Sequence, residues 1–523
     1  MQSKNRSISP ALIIGIISIP IFVGALDLTV VSAVLPQVIY DLEIPYQTGL
    51  DDAAWIVSGY LLAYSVAMTF MGRLSDLYGR RRVYLLALGI FALGSYLVAT
   101  VDTWPLRLVL RLYYAVASGR PDPSQITLWL LIAARVIQAF GAGAMVPVGM
   151  ALVGDLYPVG KRARMLGVVA ALDTAGWVVG HLYGGIVVRY LDWRMIFWIN
   201  LPICLLAFIL IAYVLRSLPR GSPESRMDWG GAVLIALSLT LFNIALGTGN
   251  ELGGTYSLGD QSALPPYSVP CLIAALLLMG LFVLRQAHAR DPLIPLKLFR
   301  KLNFSMACIA NFLVGFSLFI AIANVPLFIN TLVAQTLEQG AWDSGWLLSA
   351  LTVPMALATI PGGWISDRRG YRIPAISGLL VAVGGFGLMT SWQPATPYSS
   401  MIPHLVLTGL GIGLTMAPIA TALINATPLE YRGIASGLVI VFRLIGMTLG
   451  ISSMMTYGLF RSNAMLAQLA GLATDPRVMA RDAINIATTV IYETFLIAGA
   501  VCVLALLPVA RMKALKARRR PNG

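Results

Sequence analysis

The sequence predicts an all-α membrane protein built from two related six-helix bundles joined by two linker helices. Three observations carry this prediction. Of the 523 residues, 58% are hydrophobic and 11% are charged, whereas a soluble domain carries about 25% charged residues. Fourteen apolar stretches follow one another along the chain, and two blocks of motifs recur within it. The composition excludes the string of soluble domains that the length alone suggests.

Each apolar stretch is long enough to cross a bilayer as a helix, which takes about 20 residues. The first follows Lys4 and Arg6 and exceeds the apolar core of a cleavable signal, so we expect it to be a span. The predicted spans are 11–35, 53–72, 83–101, 126–150, 165–188, 195–215, 229–249, 267–287, 303–332, 342–364, 373–392, 400–424, 433–457 and 484–510.

An even number of spans puts both termini on the same side of the membrane. Placing them in the cytoplasm, as for a protein of the cell (inner) membrane, puts 27 of the 37 lysines and arginines on cytoplasmic segments. This is the bias that the positive-inside rule requires. Topology therefore accounts for the net charge of +14, and we expect no nucleic-acid partner. The basic tail at 511–520 then anchors the last span at an anionic leaflet.

Two blocks of sequence recur in the same order. The motif after span 2 recurs after span 10 at an offset of 291, and a second block recurs at an offset of 270. The chain is therefore expected to divide into an N-terminal six-helix half (1–215), two linker spans with cytoplasmic loops (216–302) and a C-terminal six-helix half (303–523). The matched positions include Gly72, Asp76 and Gly79 with Gly363, Asp367 and Gly370, and Arg162, Gly176 and Gly180 with Arg432, Gly446 and Gly450.

The two offsets differ by 21, so the first half carries an insertion of that length between its third and fourth spans. The segment 107–125 has the pattern of an amphipathic stretch on the membrane surface followed by a turn. Between spans 13 and 14, apolar residues after Phe460 keep helical spacing. That spacing predicts either extended last helices or an interfacial helix.

Four motifs give the chain a resemblance to a known group. They are 26–36 in span 1, 72–82 after span 2, 135–143 in span 4 and 193–202 at the entry to span 6. Together they resemble the 14-span drug:proton antiporter branch of the major facilitator superfamily, over almost the whole chain. The resemblance implies a secondary transporter that works by alternating access, and not an enzyme. Because no ATP-binding glycine loop is found, we expect no cofactor and a proton gradient as the energy source.

The motif after span 2 is expected to latch the two halves together on the cytoplasmic side. Its glycines allow a tight turn, and its aspartate can cap a helix and pair with the neighbouring arginines. The alternative is that the arginines are topology signals only, and the recurrence of the Gly–Asp–Gly spacing favours the latch. The predicted latch residues are Gly72, Asp76, Gly79, Arg80, Arg81, Asp367 and Arg368.

Span 5 carries a stripe of small residues, Gly176, Gly180 and Gly184, which predicts close packing against another helix. Its motif ends in Gly184 and Gly185, but His181 stands where the related antiporters have proline. This departure leaves the direction of transport and the ion coupling open. His181 is either a group that titrates near neutral pH or a hydrogen-bonded contact between helices.

Five charged residues fall inside predicted spans and more than two residues from their ends, where a charge costs about 2.5–3.5 kcal/mol. We expect Asp27 and Asp173 to carry protons, with Arg443 as the first candidate for their counter-charge and Arg135 as the second. Glu493 is a weaker candidate near the outer end. The alternative is a set of fixed structural ion pairs, which are often energetically neutral.

The sequence therefore predicts a proton-coupled exporter of hydrophobic or amphiphilic compounds, of the multidrug type, which functions as a monomer among membrane lipids. The alternative is an exporter of glycerolipids such as triacylglycerides, because the chain is similar to mycobacterial lipid exporters of this branch in its outer extension and intramembrane charges. A non-transporting membrane sensor or scaffold is the third possibility, and the latch motifs argue against it. The four cysteines have no metal-binding spacing, so no metal is expected.

Overall fold

The structure is a computed structural model that describes residues 9–43, 50–116, 122–217, 226–246, 267–334, 337–469 and 476–513. The regular structure in these ranges is helical throughout. The N-terminal helices are α1 (Pro10–Asp41), α2 (Leu50–Tyr78), α3 (Arg80–Ala99), α4 (Trp104–Val116), α5 (Pro123–Leu156), α6 (Val159–Tyr190) and α7 (Arg194–Val214). The remaining helices are α8 (Trp229–Ala245), α9 (Ser268–His288), α10 (Leu302–Phe328), α11 (Leu337–Arg369), α12 (Arg372–Met389), α13 (Tyr398–Asn425), α14 (Arg432–Leu469) and α15 (Pro476–Arg511).

Each of the fourteen predicted spans coincides with one of these helices, and α4 is the additional one. Within the described ranges, 12 helices are long and apolar enough to cross a membrane, and α8 is a shorter apolar helix. Helix α6, with 32 residues, packs along both α1 and α11. The chain is therefore an integral membrane protein, as its composition predicts.

The helices form two bundles with equivalent packing. In the first half α1 packs against α6 and α5, α2 against α5, and α3 against α5 and α7. In the second half α10 packs against α14 and α15, α11 against α13, and α12 against α13 and α15. The halves meet mainly through two helix pairs, α2 with α14 and α6 with α11, and also where α5 packs against α14 and α6 against α13. Helix α8 packs against α9 and α2, and Thr448 and Ser452 of α14 donate hydrogen bonds to Asn243 of α8 and to the carbonyl of Leu246 just after it, so α8 lies over the α2–α14 pair.

The turns that follow α2 and α11 have the same unusual backbone. Gly79 has φ 93° and Gly370 has φ 86°, a region that residues with a side chain rarely enter. Each glycine lets the chain reverse within two residues into the next helix, which begins at Arg80 or Arg372. The repeated Gly–Asp–Gly motif thus builds the same tight turn at the same end of both halves. This end, which carries the loops predicted to be cytoplasmic, is called the basic end, and the opposite one the far end.

The far end contains the two predicted additions to the fold. The insertion between spans 3 and 4 forms α4, and the turn predicted after it falls largely on 117–121, outside the described residues. Helix α14 continues to Leu469 and α15 begins at Pro476, so the last helices are extended. This is the first of the two predicted outcomes, and α14 runs past the predicted span end at 457 because polar residues lower the hydropathy there without ending the helix.

Candidate functional site

Asp27 lies at the centre of a buried polar cluster in the first half. Its carboxylate pairs with Arg135 of α5, and both side chains are fully buried. Arg135 Nη1 also donates to Gln138 Oε1 over 2.7 Å, and Gln138 Nε2 and Asn200 Nδ2 donate to Asp27 Oδ1 over 3.0 and 3.3 Å. The guanidinium carbon of Arg135 lies 4.0 Å from the centre of the Tyr60 ring. Several hydrogen bonds and an aromatic face thus surround this ion pair, and Arg135 Nε is the one atom of the pair without a hydrogen-bond partner among the described residues.

All members of the Asp27 cluster belong to helices of one half. A rocking motion of the halves as rigid bodies therefore leaves the Asp27–Arg135 contact intact. Removing one partner of such a buried pair leaves the other charge uncompensated, at a cost of about 3–5 kcal/mol. Asp27 thus has a structural function in this state, whatever its part in proton transfer.

Asp173 and Arg443 form a different kind of pair. Asp173 lies on α6 of the first half and Arg443 on α14 of the second, with Arg443 Nη2 3.9 Å from Asp173 Oδ2. Their side chains are 9% and 13% exposed. Asp173 Oδ1 is buried and accepts no hydrogen bond from the described residues, and Arg443 Nη1 lies 3.6 Å from the Met416 sulfur. The contact is longer than the Asp27–Arg135 contact and has fewer supporting hydrogen bonds among the described residues.

The position of this pair in the repeat is informative. Asp173 and Arg443 are 270 residues apart and thus occupy equivalent positions in the two halves. Two equivalent residues can touch only close to the pseudo-two-fold axis that relates the halves. The pair therefore marks the axis between the bundles, where separation of the halves pulls the two charges apart.

The predicted counter-charges are divided between the two aspartates. Arg443 was ranked ahead of Arg135 for both, but Asp27 pairs with Arg135 and Asp173 with Arg443. Glu493 belongs to neither group. It lies between α15 and the extension of α14, 2.8 Å from Arg461 and 2.7 Å from the Tyr457 hydroxyl, with its side chain 20% exposed.

At the basic end, Asp76 joins α2 to the other half. Its carboxylate accepts hydrogen bonds from the backbone N–H of Gly433 over 3.0 Å and of Ile434 over 3.3 Å, at the start of α14. Arg80 Nη2 lies 2.5 Å from Asp76 Oδ1. Gly72 packs against the backbone of Gly433, where an added methyl group would overlap with the carbonyl. We call this contact the first junction.

The first junction is surrounded by further ion pairs. Arg80 Nε lies 3.1 Å from Asp155 Oδ2, and Arg432 Nη1 lies 3.4 Å from Asp155 Oδ1. Arg432 also donates to the Gly154 carbonyl over 2.8 Å. A chain of charges therefore runs from Asp76 in the first half to Arg432 in the second.

The second junction repeats the backbone contact with the halves exchanged. Asp367 on α11 accepts hydrogen bonds from the N–H groups of Ala163 over 3.1 Å and Arg164 over 2.9 Å, in the first turns of α6. Gly363 packs against the backbone at Ala163, as Gly72 does at Gly433. Each aspartate thus satisfies N–H groups near the start of a helix in the opposite half, where anions are favoured.

The side chains around the second junction carry fewer charges than those around the first. Tyr371, Asn425 and Arg162 occupy the places that Arg80, Asp155 and Arg432 have at the first. Asn425 Nδ2 donates to the Tyr371 hydroxyl over 2.7 Å, and Arg162 donates to the Asn425 carbonyl oxygen. Burial raises the pKa of the Tyr371 hydroxyl, so it stays neutral. A hydrogen-bonded chain in which Arg162 is the one charged member stands in place of the ion pairs.

Two arginines of the predicted latch stand apart from the junctions. Arg81 is exposed and makes no hydrogen bond or ion pair with the described part of the chain. Arg368 lies over the Trp364 ring, with its guanidinium carbon 3.9 Å from the ring centre, and does not pair with Asp367. These positions are compatible with the alternative for these two arginines, that they are topology signals.

The small residues of span 5 pack against α1. A methyl group added at Gly176 would lie 2.6 Å from the Phe22 carbonyl oxygen, and one at Gly180 would lie 2.5 Å from that of Leu26. Gly184 is buried on the same helix. The side chain of His181 and the surroundings of Gly185 lie outside the described residues.

Sequence reasoning missed several polar residues that the structure brings into use. Asp343 is 8% exposed near the far end and accepts hydrogen bonds from Tyr398 over 2.7 Å and Trp346 over 3.3 Å. It lies one residue inside the predicted start of span 10, which made it look like a loop residue. Asp155 and Asn425 were also missed, although a comparison at the offset of 270 pairs them.

Comparisons with known proteins agree with this architecture. The family model described as Major Facilitator Superfamily matches residues 17–451. A triacylglyceride transporter of Mycolicibacterium hassiacum is 32% identical over 493 residues, which cover 91% of this chain and 85% of the relative. A probable triacylglyceride transporter of Mycobacterium leprae is 30% identical over 94% of both chains. The triacylglyceride transporter of Mycobacterium tuberculosis is 33% identical over 87% of this chain and 83% of its own.

Solved structures resemble the chain in fold alone. A proton:xylose symporter superposes with a TM-score of 0.58 at 16% identity, covering 95% of this chain and 94% of that one. A human organic anion transporter superposes with a TM-score of 0.59 at 14% identity, covering 96% and 100%. Both share the arrangement of two helical bundles.

Proposed function

Because the chain belongs to the major facilitator superfamily, we propose that this transporter exports a triacylglyceride-like lipid from the inner membrane by proton-coupled alternating access. The basic end faces the cytoplasm in this proposal, as the distribution of lysine and arginine favours. With both junctions formed, the basic end is closed. The protein works as a monomer, since one chain contains both halves.

The observation that carries the proposal is the Asp173–Arg443 pair on the pseudo-two-fold axis. It is a contact of opposite charges between the halves, at a depth where an unpaired charge is costly. Protonation of Asp173 removes its attraction for Arg443 in the opposite half. A proton can therefore change the relative free energies of the joined and separated states, which is what coupling requires.

The names of the relatives and a cavity at the far end support a lipid as the cargo. The relatives at 30–33% identity are named as triacylglyceride transporters, which favours lipid over multidrug export. At the far end a cavity of about 370 Å³ lies between Leu246, after α8, and one face of α14 that includes Phe460.

Reconstitution tests this function. Liposomes that contain a labelled triacylglyceride, and separately an amphiphilic cationic dye, are prepared with and without a pH gradient. We expect gradient-dependent movement of the triacylglyceride and little movement of the dye. Dye transport without lipid transport would favour the multidrug alternative, and movement of neither would favour a sensor or scaffold.

We also expect transport to need Asp27, both for proton coupling and for the stability of the fold. The two effects are measured separately. Asp27→Asn should abolish proton-driven transport while the protein still inserts, and it should also lower stability because Arg135 loses its counter-charge. Thermal unfolding of the purified variant measures the second effect. Normal gradient-driven transport by Asp27→Asn would remove Asp27 from the coupling mechanism.

A further inference from the structure

Helix α4 begins within a group of aromatic side chains at the far end. The ring of Tyr96 on α3 lies 6.3 Å from that of Trp104 on α4 and 6.0 Å from that of Trp198 on α7. All three side chains are at least 36% exposed. Exposed tyrosine and tryptophan rings on spanning helices collect at the level of the lipid headgroups. The start of α4 therefore lies at the membrane–water interface.

The outward surface of α4 has two flanks of different chemistry. Leu108 and Leu112, which are 50% and 60% exposed, follow one another on one flank. Arg107 and Arg111 are exposed on the other, also four residues apart. With 100° between successive residues, the two flanks lie on either side of Trp104. A helix with this pattern fits an interface where acyl chains meet headgroups.

The two arginines of α4 have no acidic partner among the described residues. The carboxylates at this corner are already engaged by a different arginine, since Arg194 lies 2.6 Å from Asp102 and 3.1 Å from Asp192. Arg107 and Arg111 form no ion pair in the described part of the chain. Two adjacent guanidinium groups at headgroup level favour phosphate, which accepts two hydrogen bonds from one guanidinium.

We propose that α4 is a docking site for anionic phospholipid, with Arg107 and Arg111 binding the headgroup phosphate while Leu108 and Leu112 contact the acyl chains. In the proposed orientation this lipid belongs to the outer leaflet. The second half has no counterpart, because only 390–397 connect α12 to α13. Bound lipid therefore holds the first half at the interface and leaves the second half free to move.

Binding is tested with the purified full-length protein in zwitterionic detergent. The protein is titrated with phosphatidylglycerol or phosphatidylcholine, and its thermal stability gives an apparent affinity for each. We expect wild type to prefer phosphatidylglycerol. The double variant Arg107→Gln/Arg111→Gln should bind phosphatidylglycerol about 25-fold more weakly, since each arginine near an anionic surface contributes about a factor of five.

Two controls keep the result specific. Arg481→Gln removes another exposed far-end arginine, on α15, and should leave phosphatidylglycerol binding unchanged. Arg107→Lys/Arg111→Lys keeps both charges but loses the paired hydrogen bonds of each guanidinium. It should bind phosphatidylglycerol more weakly than wild type and more tightly than the glutamine variant, so it serves as the second variant if the glutamine variant is unstable. Equal affinity of wild type for both lipids, or unchanged binding by the glutamine variant, would overturn the proposal. Displacement of the lipid by millimolar inorganic phosphate would instead identify a free-anion site and also overturn it.

Discussion

The two junctions at the basic end use the same backbone contact with different side chains around it. Asp76 and Asp367 each accept hydrogen bonds from two N–H groups near the start of a helix in the other half. Arg80, Asp155 and Arg432 surround the first with ion pairs. At the second, Tyr371, Asn425 and Arg162 form hydrogen bonds instead.

Comparison of the two junctions separates the backbone contact, which both have, from the ion pairs, which only the first has. The tight turn and the aspartate at a helix start are present twice, so we expect closure of the basic end to depend on them in both halves. The ion pairs are present once, so they set the strength of one junction and not its geometry. We therefore expect the second junction to open at a lower cost than the first.

The largest expected difference comes from the two aspartates. Asp76→Asn should shift the equilibrium towards an open basic end by on the order of tenfold or more, since charged hydrogen bonds contribute about 1.5–3 kcal/mol. Asp367→Asn should shift it by about half as much in free energy, because no arginine side chain pairs with Asp367 in the described structure. Spin labels at the exposed positions Lys161 and Leu429 report the separation of the halves. Equal shifts in the two variants would contradict the asymmetry.

A smaller difference should follow from exchanging the residues that distinguish the junctions. Asp155→Asn gives the first junction the amide of the second and should favour opening by about two- to fivefold, because partly exposed ion pairs contribute up to about 1 kcal/mol. Asn425→Asp places a carboxylate beside Arg162 and should favour closure by a similar factor. The same spin-label pair measures both, at low and high salt. An Asp155→Asn variant with undiminished salt dependence would show that these ion pairs are not responsible.

No difference is expected between the two turn glycines. Gly79→Ala and Gly370→Ala each place a side chain on a residue with positive φ, a backbone conformation that residues other than glycine rarely adopt. The cost is about 1–3 kcal/mol at each position. Thermal unfolding of the two variants should therefore show losses of the same size. A clearly larger loss at one position would mean that the junctions differ in backbone as well as in charge.

The repeat makes much of this arrangement predictable from sequence. The offsets locate Gly79 and Asp76 opposite Gly370 and Asp367, and hydropathy locates all the spanning helices. It also places Asp173 and Arg443 at equivalent positions. That these two touch could not be read from the sequence, because contact depends on how close each position lies to the pseudo-two-fold axis.

The ion pairs between distant residues could not be predicted, because hydropathy and local spacing carry no information about contacts between helices. Arg461 lies beyond the predicted end of span 13, yet helical hydrogen bonding continues through the polar residues of α14 and brings it to Glu493. Asp155 lies at the end of α5 and gains importance only from Arg80 and Arg432, which are distant in sequence. The choice between Arg135 and Arg443 as partner of each aspartate likewise depends on packing between helices.

The central claim is that protonation of Asp173 controls the contact with Arg443 and so couples the proton gradient to separation of the halves. Triacylglyceride transport into or out of proteoliposomes, measured with and without a pH gradient, tests it in wild type, Asp173→Asn and the exchanged pair Asp173→Arg/Arg443→Asp. We predict that Asp173→Asn loses the dependence on the gradient, and that the exchanged pair recovers part of it because the two positions are equivalent about the axis. Gradient-driven transport by Asp173→Asn at the wild-type rate would contradict the claim.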